Sequence, residues 1–192
     1  VRWSKSNQPD KLEFGKRIDN IAFVGELNMI QLRKLNNRTV RDIIKLEVED
    51  SQKDFVAPNS ISIIDAYTTI DTECTAFPFG IYDDETPVGF VMIGYNDAVL
   101  YEVWDIEAPE AWKNNYSIWR FMIDKQYQRK GYGRTAIKLA LDFIKTWPCG
   151  KAEYCAISYE PENAVARRLY ASFGFVETGE MDGNEIIAML KL

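Results

Sequence analysis

The sequence predicts one α/β domain built on a mixed sheet, antiparallel on its N-terminal side and parallel farther along. Three observations carry that expectation. Residues 75–82 and 88–95 read as strands on either side of Asp83-Asp84-Glu85-Thr86-Pro87, a turn-forming break, so the two run antiparallel. Residues 117–124, 133–146 and 153–159 read strand, helix, strand, an order that a right-handed crossover turns into a parallel pair. The chain has 192 residues, 46% of them hydrophobic, enough for one core of about 150 residues with some excess and short for two.

The elements follow in order. Residues 1–28 are polar, mixed in charge and weakly periodic, and the first methionine is Met29. We expect 1–28 to be a vector-derived or upstream-translated leader and 29–192 to be the domain; the alternative is a native arm packed on it. After Met29, the residues Ile30, Leu32 and Leu35 mark one side of a half-buried strand. Val40, Ile43 and Ile44 recur at helical spacing within 39–48. A second helix over 60–69 follows the break Ala57-Pro58-Asn59, and an acidic loop joins the two. Residues 96–115 form a polar and aromatic excursion containing Asp97, Glu102, Asp105, Glu107 and Glu110, long for a plain connector. In 133–146, Ile137, Ala140, Leu141 and Ile144 share one face, Lys138, Asp142 and Lys145 the other, and Pro148 stops the helix. A helix over 163–173 and a strand over 185–192 complete the domain.

Composition narrows the chemistry. The chain has no histidine, which removes the usual general base, the Ser-His-Asp and Cys-His arrangements and every imidazole metal site. Cys74, Cys149 and Cys155 form no C-x-x-C pair and leave one unmatched, so we expect no disulfide framework and no metal, and a reducing cytoplasm fits best. With 23 basic and 29 acidic residues the net charge is −6. Removing the five basic and four acidic residues of 1–28 leaves 18 and 25, net −7. Such a surface repels nucleic acid and attracts cations. No apolar run approaches the roughly 20 residues of a membrane span, and we expect no membrane partner.

Gln128-Arg129-Lys130-Gly131-Tyr132-Gly133-Arg134 stands where a strand hands over to a helix. The first turn of that helix has free N–H groups and a positive dipole end, the glycines admit close backbone approach, and three cations add charge. The segment can cradle phosphate. It lacks the G-x-x-x-x-G-K-[ST] string of a triphosphate loop. Gly131, Gly133 and Ala136 satisfy the dinucleotide pattern G-x-G-x-x-A, with Glu153 20 residues after Gly133. Only 61 residues follow Gly131, however, too few for the rest of a doubly wound dinucleotide sheet.

A second segment, Asn163-Ala164-Val165-Ala166-Arg167-Arg168-Leu169-Tyr170-Ala171-Ser172-Phe173-Gly174-Phe175, follows the next strand. With Gln-x-x-Gly-x-Gly before it, the chain over 29–192 resembles the GNAT superfamily of acetyl-CoA-dependent N-acetyltransferases. Trp119 to Asp124 and Ile157 to Phe175 look like the bacterial spermine/spermidine acetyltransferases in particular. The resemblance implies a GNAT fold: a mixed central sheet with antiparallel N-terminal strands, parallel strands that splay apart in the centre, and flanking helices. It implies that the backbone of Phe121, Met122 and Ile123 pairs with the pantetheine arm, that the loop from Gln128 through Arg129, Lys130, Gly131, Tyr132 and Gly133 to Arg134 binds the pyrophosphate, and that Asn163 bonds the pantetheine farther along. Tyr170 matches the tyrosine that protonates the departing thiolate; read without the family it is a core aromatic at the edge of the stripe Val165, Leu169, Phe173. Cys155 reads as a buried structural thiol.

An amine that attacks a thioester must be neutral and must lose a proton. Lacking histidine, the chain is expected to use a carboxylate through water. Some animal-type diamine acetyltransferases carry acids just before the bulge, where this chain has Trp119 and Arg120, so no base is carried over. The walls of the acceptor site in this family nominate Glu47, Glu49, Asp50, Glu102, Asp105 and Glu107. Interleaved with Tyr101, Trp104 and Trp112, they suit a small cationic amine such as a polyamine. Another amine acceptor, such as an aminoglycoside or a protein N-terminus, and a non-catalytic acyl-CoA sensor are the alternatives. Dimers are common in the family, so a homodimer is among the expectations.

Overall fold

The computed structural model describes residues 30–70, 72–102 and 105–192, together with the backbone of Phe23–Val24. The expectation for residues 1–28 otherwise lies outside the described residues, as does Trp104. The strands are β1 (Phe23–Val24), β2 (Ile30–Lys34), β3 (Thr75–Asp83), β4 (Thr86–Tyr95), β5 (Tyr116–Ile123), β6 (Tyr154–Tyr159), β7 (Val176–Asp182) and β8 (Glu185–Lys191). They form one sheet in the order β1-β2-β3-β4-β5-β6-β8-β7. Every pairing is antiparallel except β5 with β6. The helices are α1 (Val40–Ile43), α2 (Asn59–Thr68), α3 (Tyr132–Ile144) and α4 (Ala164–Ala171). The mixed sheet, the hairpin and the crossover therefore stand as the sequence predicts.

Both faces of the sheet are covered. On one, α3 buries Ile137, Leu139, Ala140, Phe143 and Ile144 against Phe79, Val91, Tyr116 and Ile118, each large aliphatic contributing about 1.5–3 kcal/mol. On the other, Tyr82, Phe90, Met92 and Met122 pack with Ile43, Val56, Ile63 and Trp119. Because β4 is covered on both faces, its apolar run is nearly continuous instead of alternating.

Two expectations are corrected. The helix expected over 39–48 is a single turn, Val40–Ile43. Beyond it the backbone is held elsewhere: Glu47 N–H donates to Asp124 Oδ2 at 2.9 Å and Lys125 N–H to the Glu47 carbonyl at 2.8 Å. The acidic loop that follows contains a 3-10 helix, Asp50–Phe55, closed at its start by a capping box between Glu49 and Gln52. Strand β7 was not expected at all. It lies at the sheet edge and six of its seven residues are exposed, so it has no buried face to print a period of two on the sequence.

The feature that positions the site is the middle of the sheet. β5 and β6 pair at only two positions, Tyr116 with Cys155 and Ser117 with Ala156. On its other side β5 is bulged: Met92 faces Arg120 and Ile93 faces Ile118, which leaves Trp119 as the extra residue. A bulge bends its strand and increases local twist. From Ile118 onward β5 has no strand partner on the β6 side among the described residues, and the sheet opens there into a cleft.

Candidate active site

The backbone of β5 divides by alternation. Asp124 N–H donates to the Val88 carbonyl at 2.9 Å, and in an antiparallel ladder every second residue faces the same partner. Met122 therefore directs its backbone groups to β4, while Phe121 and Ile123 direct theirs to the opening. The Ile123 carbonyl accordingly accepts from Gln128 Nε2 at 3.1 Å. Of the three strand residues expected to face the pantetheine, two present backbone to the cleft. Met122 instead buries its side chain on the opposite face, near Asn59 Nδ2.

Beyond β5 the chain turns into α3. Tyr127 N–H donates to the Asp124 carbonyl, and backbone bonding resumes only at Arg134 and Thr135, which both donate to Gly131. Between them, the N–H groups of residues 128–133 have no backbone acceptor among the described residues. Arg129 and Gly131 lie in the left-handed region at φ 62° and 88°. A Cβ at Gly131 would meet nothing within 4 Å, and one at Gly133 would only touch Ile123, Leu169 and Phe121 at 3.8 Å. Six N–H groups without a backbone acceptor among the described residues, in the loop and first turn that open a 13-residue helix, with open space beside Gly131, fit a diphosphate.

The loop is braced from three sides. Gln128 Nε2 donates to Gln52 Oε1 at 2.7 Å, and Tyr132 Oη donates to Asp83 Oδ2 at 2.6 Å. Lys130 lies over the Tyr127 ring, and Arg134 lies over Phe173 and donates to Ser172 Oγ. Arg129 is exposed and makes no ion pair or hydrogen bond among the described residues, which leaves its guanidinium available to an anion.

Across the opening, α4 begins at Asn163, whose Oδ1 caps it by accepting from Ala166 N–H at 3.1 Å. The Asn163 backbone N–H donates to the Glu160 carbonyl at 2.9 Å, whereas its side-chain Nδ2 makes no hydrogen bond among the described residues. Tyr170 is 5% exposed and sits between the rings of Tyr159 and Phe175. Its hydroxyl makes no hydrogen bond among the described residues, and burial raises the phenol well above its ordinary range, so it holds its proton. The two readings of this residue, aromatic core and proton donor, are compatible: the ring is packed and the hydroxyl is uncommitted. Cys155 is fully buried, and burial likewise holds its thiol protonated.

The six nominated acids do not converge. Glu47 pairs with Lys125 at 3.1 Å, Glu49 caps the 3-10 helix, and Asp50 pairs with Lys53 at 2.7 Å, all beside the loop that follows β5. Glu102 and Glu107 instead line a cavity of about 420 Å³ with Glu73, Asn96, Ala98 and Lys113. Asp105 is exposed in a left-handed turn at φ 53°. Tyr101 fastens this second group to β7 through Asp182 at 2.5 Å. Trp112 packs beneath it against Ala156 and Ile187.

One acid that sequence reasoning passed over stands apart. Asp97 is 7% exposed and accepts a short hydrogen bond from Ser117 Oγ, with Cys74 Sγ at 3.6 Å from its other oxygen. Burial pushes its carboxyl up to about 6. A Cβ at Gly94 would collide with both Asp97 and Ser117, so glycine is what lets the carboxylate approach β5 so closely. In the sequence Asp97 is one acid of five in the 96–115 excursion, and only folding brings Cys74, Gly94 and Ser117 around it.

A sheet opened between two parallel strands, with a donor-rich loop at one side and a capped helix at the other, defines an acyl-CoA-type transferase cleft. The model of the acetyltransferase (GNAT) family matches residues 40–175, and the chain belongs to that family. It is similar to the spermine/spermidine N(1)-acetyltransferase of Bacillus subtilis (strain 168), 30% identical over 165 residues that cover 84% of this chain and 97% of that one. Among solved structures it is similar to the PaiA N-acetyltransferase of Thermoplasma acidophilum in complex with coenzyme A, with a TM-score of 0.56, 17% identity, and 85% and 99% of the two chains covered. A spermidine N-acetyltransferase chimera from Vibrio cholerae has a TM-score of 0.54 at 22% identity, covering 83% and 92%. These structural likenesses establish the fold. The chain is thus a GNAT N-acetyltransferase whose co-substrate is acetyl-CoA. No helix among the described residues is long and apolar enough to cross a membrane.

Proposed function

We propose that this enzyme acetylates a primary amine of a polyamine such as spermidine or spermine, and that Tyr170 delivers the proton taken up by the leaving sulfur. The observation that carries the acceptor class is the cavity of about 420 Å³ whose lining includes Glu73, Glu102 and Glu107 and one lysine, Lys113. Lys113 is itself paired with Glu110 at 2.9 Å, so the lining is negative and suits an acceptor with several ammonium groups. The likeness to the Bacillus enzyme supports the same class.

In this reading the N–H groups of residues 128–133, with Arg129, hold the pyrophosphate, and the Asn163 amide nitrogen and the outward backbone of Phe121 and Ile123 hold the pantetheine as an added strand would. The thioester carbonyl then comes near the bulge at Trp119. The uncommitted, protonated hydroxyl of Tyr170 suits it to donate to sulfur, since no other acceptor among the described residues takes that proton.

The test is thiol release from acetyl-CoA with a panel of spermine, spermidine, a monoamine, an aminoglycoside and a peptide with a free N-terminus. The polyamines should give the highest kcat/KM, and Glu102→Gln with Glu107→Gln should raise KM for them without altering the affinity for coenzyme A. Equal rates with the monoamine would overturn the acceptor class. Tight coenzyme A binding with no release from any amine would mark a sensor instead.

A further inference from the structure

We propose that Asp97, acting through the hydroxyl of Ser117, accepts the proton that the acceptor ammonium must lose before it can attack. The inference rests on amine acetylation by this cleft and holds for any ammonium-bearing acceptor.

Its first support is position. Ser117 is the last residue of β5 to pair with β6 before the sheet opens, so its backbone stands at the apex of the cleft, with its side chain buried beside it against Asp97. It precedes the bulged Trp119 by two residues, about 7 Å along a strand, a gap that one or two ordered waters bridge. Asp97 meets Ser117 on the sheet face toward which a Cβ at Gly94 would point. Its chain neighbours Asn96 and Ala98, and Glu73 beside Cys74, line the acidic cavity.

The second support is the carboxylate's surroundings. Asp97 makes no ion pair among the described residues. From β5 it faces Ser117 and the positive charge of Arg120; from the segment before β3, Cys74. Burial pushes up the thiol of Cys155 on β6, and burial with the hydrogen bond to Asp182 pushes up the phenol of Tyr101, the negative charge of Asp97 adding to both, so neither gives it a proton at neutral pH. Asp124, the other buried aspartate, is by contrast saturated by the N–H groups of Glu47 and Gln126 and ties loops together. A buried carboxylate without an ion-pair partner is destabilising, and such groups concentrate where protons move.

The step balances. The ammonium passes a proton to Ser117 Oγ as the Ser117 proton passes to Asp97 Oδ2, leaving a neutral amine and a carboxylic acid. The nitrogen lone pair forms the N–C bond at the thioester carbonyl, the C–S bond breaks, the sulfur takes the proton of Tyr170, and the acylated nitrogen gives up its second proton to water to leave the neutral amide. Asp97 then returns its proton through Ser117 and water, and Tyr170 recovers its own from solvent.

The experiment compares wild type, Asp97→Asn and Ser117→Ala with two acceptors at pH 7: the amine of highest wild-type turnover in the panel, and 2,2,2-trifluoroethylamine, which is already neutral. With the ammonium acceptor, kcat/KM of Asp97→Asn should fall about 100-fold or more, and the limb near pH 6 in the wild-type profile should vanish. With the fluorinated amine the loss should shrink at least about tenfold, because no proton has to be removed before the attack. Ser117→Ala, which keeps the carboxylate in place, should show the same dependence on acceptor at smaller amplitude and stands as the test should Asp97→Asn fail to fold. Equal losses with both acceptors would make Asp97 a structural residue and overturn the proposal. The identity of the best wild-type acceptor separately decides the polyamine reading.

Discussion

Gln52 and Gln128, 76 residues apart, exchange side-chain amide hydrogen bonds at 2.7 and 3.3 Å, tying the 3-10 helix after α1 to the donor-rich loop before α3. Gln128 also reaches the Ile123 carbonyl, so the pair sets where the free amides sit relative to the cleft. Gln52→Ala should raise the Kd for coenzyme A by about 3- to 10-fold, since a net hydrogen bond is worth about 0.5–1.5 kcal/mol. It also removes the capping box with Glu49, so Tm should fall by a few degrees. Isothermal titration reads the first effect and a thermal melt the second; a lowered Tm with an unchanged Kd would reduce the pair to a local brace.

The two glycines of the same loop should separate stability from binding. Gly131 has φ 88° and open space around it, so Gly131→Ala should be destabilising by about 1–2 kcal/mol through conformation alone. Gly133 lies inside α3, and an added Cβ finds ordinary contacts there. Gly133→Ala should therefore stabilise the fold by about 0.5–1 kcal/mol while weakening coenzyme A binding, because the methyl group fills the approach between Phe121 and Leu169. Denaturant melts and titration on the same samples distinguish these outcomes, and unchanged affinity in Gly133→Ala would move the pyrophosphate away from this loop.

How far the site could be read from the sequence follows from what its parts depend on. The loop at 128–134, the capping Asn163 and the tyrosine seven residues later sit within short segments whose own pattern announces them. The hairpin and α3 were legible for the same reason, since local turn chemistry and a buried face leave a period. The splay after Ser117 could enter only through family resemblance, because it depends on where β6 stops pairing, and no residue of β5 encodes that alone. Asp97 was invisible for a related reason. Its distinction is the company of Cys74, Gly94 and Ser117, which lie on three different segments. The six nominated acids show the converse: composition marked them as one set, and the fold divides them between two ends of β5.

Tyr170 offers a clean substitution because its hydroxyl has no hydrogen bond to lose among the described residues. Tyr170→Phe should leave Tm within about one degree of wild type and the Kd for coenzyme A unchanged, while kcat falls about 100-fold. Burial raises the phenol above its ordinary value of 10.0, so the proton is present across the neutral and mildly alkaline range. The wild-type kcat profile should accordingly show no alkaline limb from this group below pH 10. Stopped-flow thiol detection with saturating acetyl-CoA checks both points, and wild-type turnover in Tyr170→Phe would exclude the donor role.

The buried carboxylate also leaves a signature in stability that needs no substrate. For Asp97 the native state shifts ionisation from the ordinary 3.8 up to about 6, so the folded form binds the proton more tightly than the unfolded chain does. Below pH 3.8 both states are protonated and the group contributes nothing. As pH rises through 3.8 the unfolded state ionises first, and stability declines until about pH 6, where the native carboxyl ionises too and the loss is complete. A shift of that size corresponds to roughly 3 kcal/mol. Asp97→Asn cannot ionise, so the stability difference between variant and wild type should move in the variant's favour by that order between pH 4 and pH 8. Whatever fixed penalty the amide incurs against Ser117 and Cys74 cancels in this comparison, since it is the same at both pH values. Urea melts of the two proteins across the range measure it, and a pH-independent difference would mean that the Asp97 carboxylate is solvated in the native state and free of the burial that sets it apart.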